Sequence, residues 1–138
     1  MKTKLNFSQS VKVGALTALI STVINSILFL IFHAIGVFTD NIFIQPNQAL
    51  TIVPIIISST IPTLIASIVF FLIEKYSKNG FGIFRIVSIV LLVLSFINPF
   101  MGIKGVTVAY ALGLNLMHVV IVVTLLYLLH KEIKAKSA

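Results

Sequence analysis

The chain has 138 residues, of which 59% are hydrophobic and 9% charged, with a formal net charge of +7 and no cysteine. A soluble domain carries charge at about a quarter of its positions, so water is not the solvent of this chain. The absence of cysteine excludes disulfides, thiolate metal sites and dithiol redox chemistry, and with them the four-helix quinone-linked thiol oxidoreductases. The bases stand at the ends of apolar stretches and form no stripe with interleaved aromatics, which argues against nucleic acid and marks them as topology signals.

Residues 1–11 are polar and basic, and the first apolar run follows Lys12 and extends to about Gly36. That run exceeds the apolar core of about 7 to 15 residues in a secretory signal, so it reads as a retained span, although Ala34 and Gly36 mimic a cleavage site. Gly14, Ala18, Ser21 and Asn25 recur at spacings of four, three and four and so share one helical face. A stripe of small residues lets membrane helices approach closely, with Asn25 as interhelical glue. His33 lies roughly 12 Å further along, at the interface.

The connection 37–49 holds one acid, Asp40, and no base. A second span, about 50–73, contains Pro54 and Pro62, each expected to kink the helix and to free a carbonyl, that of Leu50 and that of Ser58. Thr51, Pro54, Ser58 and Pro62 fall on one face. Asn79-Gly80 signals a turn before a third span, about 84–101, in which Ser88, Leu92, Ser95 and Pro99 line one side and Asn98-Pro99 ends the helix. The fourth span, about 105–130, carries two faces: Thr107, Ala111, Asn115 and His118 on one side, and Gly105, Ala109 and Gly113 opposite. The first face suits a bundle interior and the second suits contact with another helix or another copy of the protein. Residues 131–138 form a short basic tail.

The expected fold is all-α: one membrane domain, an antiparallel bundle of four transmembrane helices. Lys2, Lys4, Lys12, Lys75, Lys78, Arg85, Lys131, Lys134 and Lys136 fall on one side, nine of the ten bases, against Lys104 on the other. The positive-inside rule then puts both termini in the cytoplasm.

Asn25, Ser58, Ser95 and His118 fall near the midpoints of their spans, with Asn115 one turn from His118, so a mid-membrane polar cluster is expected. His118 is the one titratable group deep in a span and is the candidate ligand contact or proton acceptor. His33 and His130 lie at other depths, which excludes bis-histidine haem ligation within one chain. No Asp or Glu falls inside any expected helix, which argues against a small multidrug antiporter. No metal-ligand set, Ser-His-Asp arrangement or phosphate-binding glycine loop is present, so neither cofactor, metal nor catalysis is expected.

The order of Asn25 in the first span, Ser58-Ser59 in a proline-bearing second, Phe84-Arg85 opening the third, Ser95 and Pro99 closing it and Met117-His118 in the fourth resembles an uncharacterised family of small bacterial four-helix integral membrane proteins, classed as a domain of unknown function. The resemblance runs from about residue 12 to 130. It implies a bacterial inner-membrane protein and lends no activity. Three function classes follow: a non-enzymatic membrane subunit or assembly factor using Gly105, Ala109 and Gly113, with a second copy or another membrane protein as partner; a small transporter or channel component around His118; and a lipid- or quinone-binding protein.

Overall fold

The computed structural model describes residues 4–138; Lys2, counted above among the bases, lies outside the described residues. Helix α1, Phe7–Ala34, starts earlier than its apolar pattern suggests because Asn6 and Gln9 form a reciprocal cap. The Asn6 side chain accepts from the Gln9 amide at 2.8 Å and the Gln9 side chain accepts from the Asn6 amide at 3.1 Å. Lys12 therefore sits on the helix, exposed, and not before it. Past Ala34, Gly36 turns the chain with φ of +76°, a conformation that glycine adopts without a Cβ clash.

The connection that follows is more ordered than its sequence suggests. Strands β1, Phe43–Gln45, and β2, Gln48–Ala49, pair antiparallel across a Pro46-Asn47 turn, with Asn47 at φ of 58°. The hairpin is a small β addition to the expected all-α fold. Helix α2, Ile52–Tyr76, then contains both prolines, but they are not equivalent. Pro54 is the third helical residue, where no backbone N–H has an intrahelical acceptor, so it interrupts no helical hydrogen bond and frees no carbonyl of the helix. Pro62 lies in the interior and removes the donor to the Ser58 carbonyl.

Gly80 is the first residue of α3, Gly80–Ser95, which pauses at Phe96-Ile97 and resumes as the short α4, Asn98–Gly102, with Pro99 at its second position. Asn98-Pro99 thus restarts a helix where the sequence suggested a stop. Helix α5, Val108–Ser137, is capped by the Thr107 hydroxyl, which accepts from the Tyr110 amide at 3.2 Å. At about 1.5 Å per residue its 30 residues reach about 45 Å, well beyond the roughly 30 Å of hydrocarbon. The basic tail is therefore helical. From its last turns Lys136 Nζ donates to the Lys4 carbonyl at 2.6 Å and to Gln9 Oε1 at 2.9 Å, tying the two ends of the described chain together.

Four segments are long and apolar enough to cross a bilayer: Phe7–Ala34, Ile52–Tyr76, Gly80–Gly102 and Val108–Ser137. Large apolar side chains such as Leu19, Ile27, Ile61, Leu91 and Val123 point outward along them, as lipid contact requires. The chain is a multi-pass membrane protein. Its helices form a ring in which α1 packs on α2 and α5, and α3 packs on α2 and α5.

Apolar clusters close both ends of this ring. Phe29, Phe38, Ile55, Tyr110 and Met117 gather under the β hairpin, and Leu5, Phe70, Phe84, Leu125 and Leu129 gather at the end holding both described termini. Between them the α1–α2 interface is small and polar: Thr17, Ser21, Asn25, Ser59, Thr63 and Ser67 are all buried. Gly14 is indispensable to this seam, since a Cβ there would stand 2.5 Å from the Ser67 Cβ.

Candidate functional site

The polar residues expected at mid-membrane separate into two groups. In the first, Asn25 uses both amide hydrogens, donating to Ser59 Oγ at 3.1 Å and to the Met117 carbonyl at 3.3 Å. One side chain thereby ties α1 to α2 and α5. The serine it meets is Ser59, not Ser58: the two differ by about 100° around the helix. Ser59 points into the seam with α1, whereas Ser58 faces the groove towards α3 and α5 and donates to the Ile55 carbonyl at 3.2 Å. Thr63 donates to the Ser59 carbonyl at 2.7 Å, and Ser67 to that of Leu64 at 2.7 Å, so these hydroxyls are satisfied within α2.

The second group joins α5 to the end of α3. Asn115 Nδ2 donates to the Phe96 carbonyl at 3.2 Å, which the helical break at Phe96-Ile97 leaves open. Ser95 donates to the Leu92 carbonyl at 2.7 Å, and its Oγ lies 3.4 Å from His118 Nδ1. Because a serine hydroxyl has one hydrogen, Oγ is the acceptor in the second contact. In the neutral ring that fixes the proton on Nδ1 and leaves Nε2 as an acceptor.

Two clefts meet beside His118. One, of about 360 Å³, is bounded by Asn25, Ser58, Ser59, Pro99 and Met117 and is covered by Ile44 and Leu50 from the hairpin side. The other, also about 360 Å³, runs between α2, α3 and α5 past Pro62, Ser88, Leu92 and Ser95. Ser58, His118 and Ile121 belong to both. The groove exists because α3 is held at its ends: its buried residues are Gly80 and Phe84 at the start, with Pro99 of α4 at the far end. Asn25, Ser58, Ser95 and His118 all line the joined clefts, while Asn115 is buried behind them. Pro54 lines the hairpin end of the groove as a wall residue.

Gly105, Ala109 and Gly113 do not make one helical face. Gly105 is in the turn before α5 with φ of +72°, and Ala109 is exposed. Gly113 is buried against this chain's own aromatics. A Cβ there would lie 2.9 Å from Phe38 Cζ, whose ring stacks on Phe29 and meets Phe32 and Tyr110 edge-on, at centroid distances of 6.1, 5.4 and 4.9 Å. The spacing of four was correct for a helix, but the helix starts at Val108.

Two further polar features escaped sequence reading. His33 Nε2 pairs with Asp40 Oδ1 at 3.2 Å at the hairpin end. Glu74 lies inside α2, buried, because the helix continues three residues past the apolar run. With Glu132 in the extension of α5, this corrects the expectation that no carboxylate stands in a helix. Among the described residues no group of His, Asp and Glu side chains has the geometry to hold a metal ion.

The profile of a family of unknown function, DUF6069, matches residues 6–135, and the chain belongs to that family. No curated protein and no solved structure matches the chain.

Proposed function

We propose that this member of a family without an assigned activity is a non-enzymatic protein of the bacterial inner membrane, both ends in the cytoplasm, that holds a lipophilic hydroxyl-bearing molecule in the groove between α2, α3 and α5. A quinol or a hydroxylated lipid has the required chemistry. The supporting observation is the convergence of two clefts on His118, with Ser58 and Ile121 shared between them. The walls are apolar, as acyl or isoprenoid chains require, and a few polar groups at the centre would orient the head. With Nδ1–H engaged by Ser95, Nε2 favours a donor on the ligand.

Passage through the bundle is the weaker reading. Below Asn25 the seam of Thr17, Ser21, Thr63 and Ser67 is closed by packing, so the polar residues along α1 serve adhesion between helices. The cytoplasmic assignment of the ends follows from the positive-inside rule, and reporter fusions at both ends would test it.

Native mass spectrometry of protein extracted in mild detergent tests the binding reading. The expected result is a retained lipophilic adduct that falls about tenfold in occupancy in His118→Ala, the loss of one buried hydrogen bond to a ligand, and disappears in Ser58→Phe, which fills the shared part of the groove. A bare protein mass for the unsubstituted chain, or an adduct indifferent to both substitutions, would overturn it.

A further inference from the structure

A second cavity, of about 610 Å³, lies at the opposite end of α3 from the hairpin, where α2 stops, α3 begins and α5 emerges from the hydrocarbon. Lys4, Lys78, Lys134 and His130 surround it, and Phe81 and Ile133 form an apolar wall. Lys4 is held in place: its ammonium donates to the carbonyls of Lys75 and Ser77, at 3.3 and 3.0 Å, at the end of α2. Lys78 and Lys134 are exposed, and among the described residues neither is within salt-bridge distance of a carboxylate. The inner wall is Glu74, 7% exposed, with one carboxylate oxygen lacking any hydrogen-bond partner. It abuts Gly80 at the start of α3, where the positive end of the helix favours an anion.

We infer that this cavity is a binding site for the headgroup of an anionic glycerophospholipid, phosphatidylglycerol in type. Three features select that chemistry. Lysines concentrated on one cavity at a membrane boundary attract a phosphate, and basic pockets between transmembrane helices are suited to such headgroups. The apolar wall of Phe81 and Ile133 gives the attached acyl chain a path along the helices, which free phosphate would not use. The unpartnered oxygen of Glu74 calls for a hydrogen-bond donor, and a glycerol headgroup brings hydroxyls, whereas a choline headgroup has no donor. The site is separate from the mid-membrane groove and shares no residue with it.

The test is native mass spectrometry of the detergent-solubilised full chain, titrated separately with phosphatidylglycerol, phosphatidylcholine and inorganic phosphate. Phosphatidylglycerol is expected to bind at least tenfold more tightly than phosphatidylcholine, and inorganic phosphate in excess is expected not to displace it. Each lysine near an anionic lipid contributes about fivefold, so the double substitution Lys78→Gln/Lys134→Gln should weaken phosphatidylglycerol about thirtyfold. Lys12→Gln/Lys131→Gln removes the same charge from exposed positions outside the cavity and should change binding less than threefold. Equal losses in the two double variants, equal affinity for the two lipids, or full displacement by phosphate would each overturn the assignment. None of these outcomes involves His118, so the groove and this site stand or fall independently.

Discussion

Gly14 offers the sharpest test of how the bundle is held together. A Cβ at this position would stand 2.5 Å from the Ser67 Cβ, where ordinary contact begins at 3.4 Å, so Gly14→Ala must separate α1 from α2 by about 0.9 Å at that level. Neither atom lies at the end of a flexible side chain, and rotamer changes cannot relieve the conflict. A gap of 0.5–1 Å forfeits about a quarter to a half of each dispersion contact across it. The neighbours that lose contact are the small buried groups Ser10, Thr17, Ala18 and Thr63, which cannot reach across a widened gap. Overpacking of this kind costs about 1–3 kcal/mol, and the length of the seam favours about 2 kcal/mol. The assay is reversible unfolding in mixed micelles, monitored by far-ultraviolet circular dichroism. Ser67→Gly alone should cost about 0.5 kcal/mol through helix propensity. In the double variant it should return at least half of the Gly14→Ala loss, a coupling of about 1.5 kcal/mol or more. If Gly14→Ala unfolds within about 0.5 kcal/mol of the parent, or if the two changes simply add, close approach at this position is not what holds α1 to α2.

Two other substitutions probe neighbouring parts of the structure. Asn25→Ala removes two interhelical hydrogen bonds, each worth about 0.6 kcal/mol on average in a membrane, and should lower stability by about 1 kcal/mol; Ser59→Ala should then add little in the Asn25→Ala background, and a full additive loss would show that the pair is not coupled. Gly113→Ala should push Phe38 out of its aromatic cluster at a cost of about 1–2 kcal/mol, with faster proteolysis in the 37–49 connection. An unchanged cleavage rate together with an unchanged melting temperature would contradict that packing.

The number of spans was legible because four long apolar runs admit few alternatives, and the Gly14, Ala18, Ser21, Asn25 stripe was legible because its spacing is a property of the helix alone. What spacing cannot supply is rotation. Helix α2 is apolar nearly all round, so nothing local distinguishes Ser58, which faces the groove, from Ser59, which faces the seam; the partner Asn25, on another helix, decides. Helix boundaries failed for a related reason. Hydropathy marks where lipid ends and not where the backbone stops winding, so α5 ran on through Lys131 and Lys134, and α1 began at a polar cap. That capping box, Asn6 and Gln9, was present in the sequence as a readable signal, and so was the Pro46-Asn47 turn of the hairpin. Glu74 could not have been placed, since its burial depends on how α3 packs back over the end of α2.

The dual engagement of Asn25 carries a consequence for biosynthesis. Its acceptor on α2 is synthesised soon after it, and hairpins of sequence-adjacent helices assemble readily because their contacts are local. Its acceptor on α5, the Met117 carbonyl, lies 92 residues further along the chain and is synthesised correspondingly later. Until α5 docks, that amide hydrogen lacks its native acceptor, and an unpaired polar group in hydrocarbon is costly, so the fourth span completes what the first one leaves open.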